Sequence, residues 1–376
     1  MKQKIRKIID KHSVACYNKP IKVLSKTTEK EVPMKKYLLP KEGFFYKANL
    51  HCHTTVSDGA LTPEEVKAAY AAKGYSIVAY TDHDVFIPHP ELTDENFLAL
   101  NGFEIEANEP KNCGKILRKC CHLCYIPLKK DNITMPFFHR EKYLFGNAKN
   151  YVDQVKYDES HTDYERSFSP ECINDMIRLG RENGFFVTYN HPTWSQEDYS
   201  DYMAYKNVNA MEICNYSSYS LGYPEYNERV YDDMLRGGER LYCIGADDNH
   251  NRHPEASGQW DSFGAFTMIK AEKLEYEAVT EALVKGHFYA SQGPKIHELW
   301  FEDGMLHVTC SGAARITMTA GRRKAYVAYS HMGEPVEAAS FPVAPEDNYV
   351  RVTVTDALGY HANTNAYFTD ELFGEA

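Results

Sequence analysis

FFYKANLHCHTTVSDGALTPEEVKAAYAAKGYSIVAYTDHD, residues 44–84, is the stretch from which the fold is read. FFYKANLHCH has the apolar, aromatic-rich texture of a strand. LTPEEVKAAYAAKGY has helical spacing, with Thr62 as N-cap, Pro63 in the first turn and Gly74 at the end. YSIVAYTDHD is a strand again. The unit recurs downstream: NGFEIEA is a strand, SPECINDMIRLGRENG a helix capped by Ser169 and Pro170, and FFVTYNHP the strand that follows. NAMEICN, PEYNERVYDDMLRGG, LYCIGADDNH and EYEAVTEALVKGH continue as strand, helix, strand and helix. This alternation predicts an α/β fold, with a parallel sheet or a barrel. Such folds collect their chemistry at the C-terminal ends of the strands.

Working outward, residues 1–43 are polar and Lys-rich, with one short helical pattern at 5–12, and read as an N-terminal arm. After Gly293-Pro294 the texture turns to strands and turns (ELWFEDGMLHVTC, ARITMTAG, YVRVTVTDALG), which predicts a small all-β, sandwich-like domain over 294–376. The α/β region is then 44–293. It is interrupted at about 125–168 by an aromatic- and charge-rich insertion, too long for an ordinary connection and of a size to form a lid.

A chain of 376 residues excludes a single small module, and 43% hydrophobic residues exclude global disorder. The net charge of −11 disfavours long duplex nucleic acid as a partner, because such binding needs many phosphate-neutralising cations. A small anionic substrate in a locally positive pocket stays compatible. No run approaches the ~18–20 apolar residues of a membrane helix, and no apolar stretch follows the charged N-terminus, so a cytoplasmic protein without a membrane partner is expected. The ten cysteines, four of them at 113, 120, 121 and 124, read as reduced thiols rather than a disulfide framework.

The candidate chemistry lies at the predicted strand ends. His51 and His53 close the first strand with both imidazoles on one side. Asp58 follows in VSDG, His83 in YTDHD, Glu104 in NGFEIE, His122 in CCHLC, His191 in YNHP, and Asp248 and His250 in GADDNH. Each has an ordinary alternative. Two strand histidines can be a surface pair, Asp58 a turn residue, Asp82-His83-Asp84 a capping cluster, Glu104 an exposed carboxylate and His191 a turn before proline. The cysteines around His122 hint at a zinc knot but lack a second C-x-x-C pair, and read as buried thiols. Six histidines and three carboxylates at strand ends are far more specific together than singly.

The series NLHCHTTVSDG, YTDHD, NGFEIE, CCHLC, YNHP and GADDNH, in that order over residues 44–270, resembles the polymerase and histidinol phosphatase (PHP) family of metal-dependent phosphoesterases. The resemblance implies a distorted (βα)7 TIM-like barrel whose mouth holds two or three divalent metal ions, zinc, manganese or iron. It implies that His51, His53, Glu104 and Asp248 hold one metal. Glu104 would bridge to a second, completed by His122 and His191, while Asp58, His83 and His250 would hold a third. The chain departs from the commoner D-x-H pattern in carrying Asp247 before Asp248, which leaves Asp247 as a supporting candidate. The β-rich tail after GHFYASQGP (286–294) resembles a stand-alone branch of the family rather than the polymerase-attached form.

Elementary chemistry agrees. Clustered metals lower the pKa of bound water to a hydroxide nucleophile and clamp the oxygens of a phosphoryl group. A ligand set dominated by imidazole suits Zn, Mn or Fe better than Mg or Ca. Arg252 and His253 read as phosphate contacts or proton donors, or as solvated loop residues. Asp84 reads as a partner orienting His83 or as a proton-transfer group. The expectation is hydrolysis of small phosphate monoesters or nucleotides. The alternatives are a phosphodiesterase or exonuclease on short oligonucleotides, and a non-catalytic, metal-stabilised binding protein.

Overall fold

The computed structural model describes residues 35–111, 114, 118–161 and 163–374. The arm's helical pattern at 5–12 and Cys113 lie outside them. The helix Pro63–Ala72 begins where expected: Thr62 Oγ1 accepts from the amide of Glu65, and Glu65 Oε2 accepts from the amide of Thr62. The helix Pro170–Glu182 is capped by the Ser169 hydroxyl and buries Ile173, Met176 and Ile177. Gly180 on that face is needed for close approach, since a Cβ there would fall 2.4 Å from Cε1 of Tyr125.

The strands form three sheets. Ten strands make the largest. Its α/β half runs Phe288–Ser291, Phe266–Ala271, Phe44–Asn49, Ile77–Tyr80 and Leu98–Asn101, the last three parallel. A second sheet of five runs Phe103–Asn108, Cys120–Pro127, Phe185–Asn190, Ala210–Asn215 and Tyr242–Ala246. Its last three strands are parallel, but Cys120–Pro127 is antiparallel to both neighbours. The two sheets touch through single bridges, Cys52 with Asn249 and His83 with Glu104, with the chain passing from one to the other at Gly102. The fold is therefore mixed α/β. No continuous hydrogen-bonded ladder closes a barrel among the described residues. The ladder breaks at two places, between Leu98–Asn101 and Phe103–Asn108 and between Tyr242–Ala246 and Phe44–Asn49. Within the second sheet, 109–119 is too short for a helical crossover, so the chain reverses and pairs antiparallel.

That reversal corrects one expectation. His122 is not at the end of its strand but third of eight, opposite Glu106 and Asn190. A strand running the other way brings its beginning to the face where parallel strands bring their ends.

Beyond Ser291 the large sheet continues without a seam. His361–Thr364 pairs with Phe288–Ser291 on one side and Tyr349–Thr355 on the other; Arg315–Ala320 pairs with Tyr349–Thr355, and Ala325–Tyr329 with Arg315–Ala320. A four-stranded sheet faces it, made of Lys36–Tyr37, Ile296–Glu302, Met305–Ala313 and Val336–Pro342. Between them lies a core of Leu299, Leu306, Val308, Ile316, Val350 and Val352, to which Leu38 and Leu39 belong and against which Phe45 and Met268 of the α/β half pack. The end of the predicted arm is thus a strand and two core residues. No helix among the described residues is long and apolar enough to cross a membrane, and the eight described cysteines are free.

Candidate metal centre

All nine candidate ligands are brought together. Glu104, wholly buried, lies at the centre. Its Oε1 is 3.1 Å from His51 Nε2, 3.3 Å from His122 Nδ1 and 3.5 Å from His191 Nε2. Its Oε2 is 3.3 Å from His53 Nε2 and 3.2 Å from His83 Nδ1. Asp248 Oδ1 sits 2.9 Å from His53 Nε2 and 3.2 Å from His51 Nε2. Asp58 faces His83 at 3.9 Å and His250 at 3.5 Å, and the His53 ring is stacked between those of His83 and His250. Four overlapping groups of ligand atoms each fit around a common point: His53, Asp58, His83 and His250; His51, His53, Glu104 and Asp248; His83, Glu104 and His122; and His51, His191 and Glu212.

The donor set fits divalent cations. Nδ1 of His53, Nδ1 of His83 and Oε2 of Glu104 are buried with no hydrogen-bond partner, an arrangement costly for polar atoms unless a charge satisfies them. Imidazole and carboxylate in this proportion match Zn, Mn or Fe. The protein's own electrostatics point the same way. Burial opposes charge on His53, yet Asp248 and Glu104 hold its pKa up at about 10. Burial and the neighbouring His53 push His83 down to about 3. Glu104, despite burial, is held well below the carboxylate range by His51, His122 and His83. By itself the cluster balances its carboxylates with protons on imidazoles, a role cations fill when bound.

The backbone is strained where the side chains converge. Asp84, His191 and Asp248 have φ of 64°, 27° and 55°, a region non-glycine residues seldom occupy and which clusters at functional sites. Asp82 fastens the loop that carries Asp58 by accepting from the amides and hydroxyls of Thr54 and Ser57.

The remaining expected residues are placed differently from one another. Asp84 does not meet the His83 ring. Its carboxylate takes Arg166 Nη1 at 2.6 Å and the amide of Phe145 at 3.2 Å, both from the insertion, and burial raises its pKa to about 6 against the pull of Arg166. Arg252 pairs with the Asp58 carboxylate and donates through Nε to the Asp58 carbonyl at 2.9 Å. Exposed His253 lines the pocket mouth beside it. Asp247 points away from Asp248, into three backbone amides (263–265) and the Tyr70 hydroxyl, and serves the scaffold.

Several contributors were not foreseen. Glu212, fully buried inside the strand Ala210–Asn215, bonds His51 Nδ1 at 2.8 Å. Glu106 Oε2 lies 3.2 Å from His122 Nε2, and Ser195 Oγ is 3.1 Å from His191 Nδ1. Trp194 sets its ring edge-on to His191 and His122, its loop held by the Glu225 carboxylate. The signal for Glu212 was present: a lone carboxylate in the apolar run NAMEICN.

The cluster floors a cavity of about 430 Å3, within the range of small-molecule sites. Phe145 of the insertion, Trp194 and Leu221 give it apolar walls, while Arg118 and Arg252 give it a cationic rim with His253 beside them. The insertion is no loose flap. It buries Met135, Phe137 and Phe138, and Asn147 ties it to the carbonyls of Ser57 and Thr55.

No family model matches the chain, and no curated protein matches it. Among solved structures the chain is similar to a two-domain protein from Bacteroides vulgatus containing a predicted PHP-like metal-dependent phosphoesterase. The identity is 14% and the TM-score 0.40, over 88% of this chain and 98% of that one. It is similar to a protein from Bifidobacterium adolescentis whose assignment as a metal-dependent phosphoesterase is itself provisional, at 16% identity and TM-score 0.36, over 58% of this chain and 91% of that one. It is also similar to an amidohydrolase from Chromobacterium violaceum holding sulfate and no metal, at 18% identity and TM-score 0.32, over 54% and 87%. At such TM-scores these likenesses carry no argument.

Proposed function

We propose that the protein is a PHP-type, metal-dependent phosphoesterase that hydrolyses small phosphate monoesters or nucleotides. One observation carries this: six histidines, Asp58, Glu104 and Asp248 converge, with buried unpartnered donor and acceptor atoms, on the floor of a small-molecule-sized cavity. In this reading the α/β half of the ten-stranded sheet and the five-stranded sheet are the halves of a distorted (βα)7 barrel. The nine residues would hold two or three divalent ions, Zn, Mn or Fe. When bound, these ions supply an activated water and neutralise charge on phosphoryl oxygens.

The chain's own groups do the rest. Arg118 and Arg252 draw an anion to the mouth, where His253 offers a hydrogen-bonding ring, and Arg252 also holds Asp58 in place. Glu104 spans the groups of histidines and keeps them in register. Phe145 and Trp194 exclude water and pack on the organic moiety of the substrate. The net charge of −11 and the confined cavity favour a small substrate over long duplex DNA, with no membrane partner. A cytoplasmic location belongs to the same proposal. Aromatic walls at Trp194 and Phe145 favour one second reading, phosphodiester cleavage at the ends of short oligonucleotides, because bases stack on such faces.

The test is metal analysis of the purified protein, with turnover of p-nitrophenyl phosphate, a mononucleotide, a short oligonucleotide and a plasmid at two salt concentrations. At least one ion per chain and fastest turnover of a small ester are expected. Less than one ion and no turnover with Mn, Zn or Fe overturn the reading, and so does fastest turnover of the plasmid.

A further inference from the structure

Glu212 is a carboxylate with no exposure, in the middle of an otherwise apolar strand, and it receives three donors at once. Oε1 meets His51 Nδ1 at 2.8 Å. Oε2 accepts from the backbone amide of His191 at 2.9 Å and from Asn215 Nδ2 at 2.9 Å. Asn215 Nδ2 also reaches Asp248 Oδ2 at 3.1 Å, so one carboxylate is linked to three of the residues proposed to hold cations. We propose that Glu212 is the positioning residue of the cluster. It keeps the proton of His51 on Nδ1 so that the Nε2 lone pair faces the site, and it holds His191 and Asp248 at fixed separations.

The inference rests on the reading that the cluster binds cations, and it goes beyond that reading in giving a role to a residue outside the nine. Glu212 does not itself need to coordinate. Oε2 is occupied by two N–H donors, and Oε1 lies on the Nδ1 side of the His51 ring, away from Glu104 and Asp248, which both approach Nε2. The same logic works elsewhere in the cluster, where Glu106 sits on His122 Nε2 and Ser195 on His191 Nδ1. Among the described residues outside the nine, Glu212 is the one that links three candidate ligands, His51 and His191 directly and Asp248 through Asn215. Carboxylates behind metal-bound histidines fix the tautomer and raise the basicity of the ligand nitrogen, and losing one weakens metal affinity about 10–100-fold. A glutamine is a sharp probe here. It offers one acceptor oxygen in place of two, and its NH2 would face donors already aimed at Glu212.

The experiment has two independent arms on the full chain. First, Zn is titrated calorimetrically into stripped wild type and Glu212→Gln, with melting of the zinc-free forms followed in parallel. Affinity about 10–100-fold weaker in the variant is expected, with the zinc-free form melting somewhat lower but still in one cooperative transition. Wild-type affinity in Glu212→Gln overturns the proposal, and so does a loss matched by a collapse in melting temperature. Second, the wild type with 15N-labelled histidine is loaded with Zn and the ring nitrogens are read by NMR. A protonated Nδ1 on His51 with a Zn-bound Nε2 is expected. The reverse pattern overturns the proposal and needs no variant to fold. Failure of the wild type to bind Zn, Mn or Fe would instead overturn the functional reading, and it is seen before either arm begins.

Discussion

Glu104 faces five of the six histidines, whereas Asp58 stands at one side of the cluster with Arg252 behind it. Glu104→Gln is therefore expected to lower turnover by orders of magnitude and to reduce the number of bound ions. Asp58→Asn should cost less, because it serves one group only. Steady-state rates with Mn and metal analysis of both variants check this, and equal, mild losses would show that Glu104 does not span the groups. A second residue makes a prediction about pH. Burial raises the Glu197 carboxyl to about 8, against the hydrogen bonds from Tyr189 and Tyr205. The folded state then keeps a proton that the unfolded chain releases above its ordinary pKa near 4.3. Stability from this group is present below that value and is lost as pH rises toward 8, by up to about 1.4 kcal/mol per pH unit. Glu197→Gln should flatten the fall in melting temperature between pH 5 and 8, and parallel curves for wild type and variant would refute the assignment. At this scale the nine residues that meet in the cluster were legible because histidines and carboxylates stand out against apolar runs. Glu212 was not, because a residue inside NAMEICN is read as belonging to the strand. The partner of Asp84 was not legible for another reason: Arg166, which takes its carboxylate in place of the His83 ring, is 82 positions away.

Elements were legible where local chemistry decides them. The capped helices at Pro63–Ala72 and Pro170–Glu182 follow from Thr62, Ser169 and the prolines after them. Strand direction is different, since alternation says nothing about which way a neighbour runs. Hence the antiparallel Cys120–Pro127 interrupts what reads as a parallel series, although the shortness of 109–119 carried the clue. The insertion, lid-like in sequence, is anchored by a buried ion pair, Arg166 with Asp84, both 2% exposed. Removing one partner of a buried pair leaves an uncompensated charge and costs about 3–5 kcal/mol. Arg166→Ala should thus melt well below wild type. Arg140→Ala, which breaks the exposed pair with Asp163 in the same insertion, should melt close to it. Thermal denaturation of both decides, and similar losses would mean that burial is not what makes the Arg166 contact matter.

Over the whole molecule, Arg351 in the C-terminal strands reaches across to the helix Glu228–Arg236. It forks onto Asp232 at 2.9 and 3.0 Å and meets Glu228 at 3.1 Å, while Tyr349 also bonds Asp232. Tyr349, Ala366 and Phe368 complete the core beneath the five-stranded sheet. A composition change at 293 suggested two units, but composition registers only the texture of strands and not which strands pair across it. Calorimetry of the full chain should show one transition for residues 35–374. Arg351→Ala should lower it by about 3–5 kcal/mol of stability without splitting it. Two resolved transitions in the wild type would refute the coupling.

The pairing of His361–Thr364 with Phe288–Ser291 also bears on how such a chain could be recombined. A crossover at Gly293 would separate strands that are neighbours in space, exposing the edge of Phe288–Ser291 and the faces of Phe45 and Met268. A foreign tail grafted there would have to reproduce that edge register and the Arg351 fork as well as fold by itself. The C-terminal strands are thus not a cassette, and a piece that keeps these hydrogen bonds intact runs from the strand at Lys36 through the helix Thr369–Leu372, whose Glu371 carbonyl accepts from Lys36 itself.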